Sequence, residues 1–75
     1  MIPEKEEIWK AAITIFFMWF GSPKDPVEVR KSEKLLLSLD EQQLLDLSYG
    51  MSAENFCIID SALAIVRGKR KRGYW

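Results

Sequence analysis

The sequence predicts an all-α protein, a compact bundle of three or four short helices followed by a mobile basic tail. Apolar residues recur at helical spacing in four segments, and glycine, proline or a capping residue separates them. The β-branched and aromatic residues at 13–17 would also suit a buried strand, but no second strand candidate exists to pair with it. We expect one helical domain over residues 1–68 and a basic, aromatic tail over residues 69–75.

The first helix is expected from Pro3 to about Phe20. Proline is favoured at the first helical position, and the glutamates that follow suit the positive end of the helix dipole. The run Gly21-Ser22-Pro23 is a strong stop signal, so the helix should end just before it.

The second helix is expected from Pro26 to about Leu37, because Asp25 offers a cap and Pro26 suits the first position. A third helix should run from Leu39 to about Tyr49. The segment Ser38-Leu39-Asp40-Glu41 has the pattern of a capping box, and Gly50 suits a left-handed residue after the helix. A single long helix over residues 26–49 is the alternative.

The fourth helix should start after Ser52 and run through Arg67, with Gly68 closing it in the left-handed conformation. Cys57 is the only cysteine, and its place in an apolar run predicts a small buried side chain. The helix has two apolar sides, one formed by Phe56, Ile59, Leu63 and Val66 and the opposite one by Ile58 and Ile65.

The segment Ile8 to Phe20 is the most informative part of the chain, because it holds five of the nine aromatic residues. Such a helix is apolar around most of its circumference, and a core this small cannot bury it from one side. We therefore expect an interface with a partner protein or a second copy, formed by Trp9, Phe16, Phe17, Met18, Trp19, Phe20, Ile58 and Ile65.

An alternative interpretation uses the same segment within one domain. Trp9, Ile13, Phe16 and Phe20 would then form the core face of the first helix, which leaves Phe17 and Met18 as modest exposures.

Charge is distributed unevenly along the chain, although the formal net charge is zero. Residues 35–66 contain five acids and no lysine or arginine, and a basic cluster follows. We consider a nucleic acid, an acidic protein surface, an anionic membrane, or no ligand at all for this cluster. Its candidate contact residues are Arg67, Lys69, Arg70, Lys71, Arg72, Tyr74 and Trp75.

Enzymatic chemistry, a cofactor and a metal are not expected. The chain has no histidine, no glycine-rich phosphate loop and a single thiol, and the capping box already gives Asp40 and Glu41 a structural role.

The first residues lack the basic start of a secretory signal, and the apolar segment would span only about 20 Å as a helix. A bilayer core is about 30 Å thick. We expect a cytoplasmic protein.

Residues around Gly50 also suggest a DNA-binding arrangement. With this glycine at a turn, apolar residues fall at Leu45, Tyr49, Met51, Phe56 and Ile59. This pattern resembles a helix-turn-helix, and the resemblance implies that the fourth helix reads DNA. Asp46 stands where the motif usually has a small residue, and Glu54 and Asp60 would repel phosphates.

Our hypothesis from the sequence is a small non-enzymatic protein-binding module that occludes or bridges a partner protein through its aromatic helix. The basic tail would steer association, and the protein would form a homodimer. In size and character, though not by any motif, the chain is similar to small regulators and inhibitors from phages and other mobile elements. The alternative is a small dimeric nucleic-acid-binding protein that uses the tail.

Overall fold

The computed structural model describes residues 4–68, and four α-helices account for most of them. These are α1 (Lys5–Trp19), α2 (Pro26–Leu37), α3 (Glu41–Gly50) and α4 (Ala53–Val66), and residues 4–68 contain no strand. The all-α prediction and the break between the second and third helices are thus confirmed. The predicted start at Pro3 and the predicted tail lie outside the described residues.

The bundle is built around α1, which packs against both α2 and α4. These two helices also contact each other, and α3 packs more lightly against α4. Ile15, Leu36 and Ile59 are the largest fully buried side chains, one from each of the three main helices, and α3 contributes Leu47 to the same core. The weaker contacts of α3 make it the element with the least tertiary support.

The core face of α1 consists of Ile8, Ala11, Ala12 and Ile15. It is not the face of Trp9, Ile13, Phe16 and Phe20 that the alternative interpretation proposed, because the first three are only half-buried and Phe20 is exposed. The physical reason is size: alanines allow α2 and α4 to approach α1 closely, whereas a row of rings would hold them apart.

Helix caps account for most of the boundaries. The Asp25 carboxylate accepts a hydrogen bond from the Val27 N–H at 2.9 Å, and the Ser52 hydroxyl accepts one from Asn55 N–H at 3.3 Å. Both caps agree with the predicted starts of α2 and α4. Gly68 has a φ of +71°, which confirms it as the left-handed residue after α4.

The start of α3 differs from the prediction. Its capping box is formed by Asp40 and Gln43: the Asp40 carboxylate accepts from the Gln43 N–H at 2.8 Å, and the Gln43 side-chain oxygen accepts from the Asp40 N–H at 2.9 Å. Ser38 instead ends α2, where its N–H donates to the Lys34 carbonyl at 3.1 Å. The cause is Leu39, which is buried in the core between the two helices and moves the start of α3 forward.

Two expectations for single residues are wrong. Gly50 is the last residue of α3 with no positive φ, because the chain leaves this helix through the extended residue Met51. Cys57 is exposed. Ile59, Ala62 and Leu63 occupy the core face of α4, and the helical turn places Cys57 on the outer side.

Candidate interaction surface

Three phenylalanine rings form a cluster at the end of α1. The Phe16 and Phe17 ring centroids lie 5.7 Å apart at an interplanar angle of 82°, and those of Phe16 and Phe20 lie 4.9 Å apart at 57°. Both geometries fall in the range that aromatic pairs favour. Phe17 is nevertheless 45% exposed and Phe20 54% exposed. We call Phe16, Phe17 and Phe20 the aromatic cluster.

Backbone hydrogen bonds fix the position of this cluster. The Phe20 N–H donates to the Phe16 carbonyl at 3.3 Å, and the Ser22 N–H donates to the Phe17 carbonyl at 3.0 Å. Gly21, with a φ of +101°, makes the turn that ends the helix. The rings are therefore held on a regular, closed helix end.

Other residues of the predicted interface are largely occupied inside the molecule. Trp9, Met18 and Ile65 pack against the hydrophobic core. Trp19 is half-buried, as is Ile58 on α4. A cleft of about 230 Å³ at this end of the bundle is lined by Ile15, Met18, Trp19, Glu33, Ile65 and Val66. Of the eight predicted residues, the structure thus leaves Phe17 and Phe20 exposed and brings Phe16 against both.

The outer side of α1 carries a regularly spaced stripe of residues that was not predicted from the sequence. Its residues follow one another at intervals of four, three, four and three, the average of 3.5 that keeps side chains on one seam of a helix. All are exposed except the half-buried Ile13. The repeat is visible in the sequence but was obscured by the many other apolar residues nearby. We call this set the outer stripe: Glu6, Lys10, Ile13, Phe17 and Phe20.

Comparison of the chain with protein-family models, curated proteins and solved structures finds no match.

The fourth helix presents an acidic outer side. Glu54 and Asp60 are exposed, and no lysine or arginine lies within Ala53–Val66. Such a helix would be repelled by DNA phosphates, which weakens the resemblance to a helix-turn-helix. Arg67 is exposed directly after α4. The other predicted contacts of the basic cluster, Lys69, Arg70, Lys71, Arg72, Tyr74 and Trp75, lie outside the described residues.

None of the helices within residues 4–68 combines the length and the apolar character that a bilayer crossing requires. Within the same residues, no group of three or more cysteine, aspartate or glutamate side chains is arranged to hold a metal ion.

Proposed function

We propose that this protein is a non-enzymatic binding module that occludes or bridges another protein chain through the aromatic cluster of α1. The observation that carries the proposal is the exposure of Phe17 and Phe20, two large aromatic side chains at the end of this helix. Leaving such rings in water costs free energy that burial against a partner would recover.

The character of the cluster supports a protein as the ligand. Aromatic residues are enriched where protein interfaces have their strongest anchors, and rigid rings lose little entropy on binding. The cleft lined by Met18, Trp19 and Ile65 is open and mostly apolar. Glu33 is the charged residue among the lining residues that the structure describes. Exposed rings on the outer side of a helix suit a protein groove or helix better than they suit a small molecule, which needs a concave site.

Photo-crosslinking tests the proposal. We would replace Phe17 by a benzophenone-bearing phenylalanine in the full chain, irradiate expressing cells and resolve the products by mass. We expect discrete protein adducts, either with a second copy or with another protein, and their loss when Phe20→Ser is added.

The matched control places the same photoreactive residue at Tyr49 on α3, which is 79% exposed but lies outside the aromatic cluster. A diffuse and equal background from both positions, unchanged by Phe20→Ser, would overturn the proposal.

A further inference from the structure

We propose that the outer stripe of α1 pairs with the outer stripe of a second copy of this chain, with the two helices antiparallel. The inference deepens the proposed function and rests on it, because it names the chain that covers the exposed rings. In this antiparallel pair, Ile13 of each copy faces Phe17 of the other copy. Lys10 of each copy faces Phe20 of the other.

The spacing of the stripe is the first support. An interval that averages 3.5 residues keeps one line of side chains facing a second helix, as in a coiled coil. So short a stripe would not hold isolated helices together. Here α1 is already held by its buried face, which includes Ile8, Ala12 and Ile15, so pairing does not have to form the helix.

Avoidance of like charges selects the orientation. In a parallel pair Lys10 would face Lys10 of the second copy, and Glu6 would face Glu6. In the antiparallel pair centred on the level of Ile15, the two Lys10 side chains are separated by ten residues, or about 15 Å along the axis. This separation exceeds the Debye length of about 8 Å at physiological salt.

The antiparallel register also gives Lys10 a suitable neighbour. Lys10 is exposed, and it reaches the exposed ring of Phe20 in the second copy, where a cation–π contact forms. Ile13 meets Phe17 twice about the two-fold axis, as an isologous interface requires. One helix face is a small contact beside the roughly 800 Å² per partner of typical stable complexes, so we expect a weak dimer whose population depends on concentration.

Sedimentation and light scattering of the full chain from micromolar to submillimolar concentration test the pairing. We expect a concentration-dependent monomer–dimer equilibrium. Phe17→Glu should raise the dimer dissociation constant by at least about tenfold. The control Tyr49→Glu, an equal change of charge on α3, should leave the constant unchanged. Circular dichroism and melting curves would establish that each variant is folded.

Complementary charges test the orientation. Ile13→Glu and Phe17→Lys should each weaken the homodimer, yet an equimolar mixture should form a heterodimer. In the antiparallel register the glutamate introduced at position 13 of one chain faces the lysine introduced at position 17 of the other, and one native Ile13–Phe17 pair remains. A parallel pair gains no such match. Two folded variants that stay monomeric when mixed would overturn the antiparallel register.

The two proposals can fail separately. A wild-type chain that is monomeric up to submillimolar concentration would overturn the second copy as partner, and a crosslink from position 17 to a different protein would leave the proposed function standing. A dimer that survives Phe17→Glu unchanged would show that the copies meet elsewhere and would overturn the outer stripe as their interface.

Discussion

The side chain of Lys5, at the start of α1, lies against the α-carbon of Gly50, the last residue of α3. A Cβ added to Gly50 would collide with the Lys5 Nζ and would lie 3.2 Å from its Cε. A cation at this place is favourable for α3, because the carboxyl end of a helix carries partial negative charge. The contact links the lightly packed third helix to the first.

This relationship predicts the effect of alanine at Gly50. The backbone there is helical, so alanine gains up to about 1 kcal/mol in helix propensity. The flexible end of Lys5 moves aside, and its loss from the helix end costs about 0.3–1 kcal/mol. We expect Gly50→Ala to change the free energy of unfolding by less than about 0.5 kcal/mol, measured by urea denaturation.

Gly21→Ala is the matched comparison. Gly21 has a φ of +101° with open space around it, so alanine would meet backbone strain and no clash. We expect a loss of about 1 kcal/mol. Equal effects at the two glycines would contradict the assigned backbone conformations.

Capping of α3 makes a second prediction. Asp40→Ala removes the acceptor for the Gln43 N–H and should cost about 1 kcal/mol, whereas Ser38→Ala should cost a few tenths. Because α3 is lightly packed, the loss should appear as faster amide hydrogen exchange within α3. Asp40→Asn keeps an acceptor and serves as the control. If Ser38→Ala lowered the free energy of unfolding more than Asp40→Ala, the result would support the capping box of Ser38 and Glu41 that the sequence first suggested.

The sequence predicted where the helices begin and end better than it predicted which side of each helix is buried. Asp25, Ser52 and Gly68 act through local chemistry, and local chemistry can be recognised along the chain. Two capping boxes compete at residues 38–43, however, and the burial of Leu39 decides between them. Packing between residues that are distant in sequence cannot be predicted from a local sequence pattern.

The same limit applies to the candidate site. Every side of α1 between Ile8 and Phe20 carries apolar residues, so periodicity alone did not identify the buried side. The close approach of α2 and α4 to Ala11 and Ala12 decides it, and that approach depends on the whole bundle. The exposed rings of Phe17 and Phe20 follow from this choice.

A third prediction separates the two sides of α1. Ile15 is fully buried, so Ile15→Ala should cost about 3 kcal/mol. Phe17→Ser loses one ring contact with Phe16 and little burial, so its cost should be about 1 kcal/mol or less. Melting curves of the two variants would measure the difference, at about 4–8 °C per kcal/mol for a domain of this size.

Ala12→Leu tests the same assignment from the opposite direction. The residue is fully buried where the helices approach closely, and the added volume should cost about 1–3 kcal/mol. If Phe17→Ser destabilised the fold more than Ile15→Ala, the aromatic cluster would belong to the core and the binding proposal would lose its basis.

The last prediction concerns Cys57. Its thiol is exposed on the outer side of α4, away from the core residues Ile59 and Ala62. A disulfide reagent that forms a coloured thiolate should therefore react with one thiol per chain under native conditions, at a rate that urea raises only slightly. A buried thiol would react only through opening of the fold, so its rate would rise steeply with urea.

Cys57→Ser should abolish the reaction and leave the free energy of unfolding within about 0.5 kcal/mol of the native value, as at other exposed positions. Strong protection of the thiol in the folded chain would mean that α4 is rotated relative to the core, and the exposed acidic side formed by Glu54 and Asp60 would have to be reassigned with it.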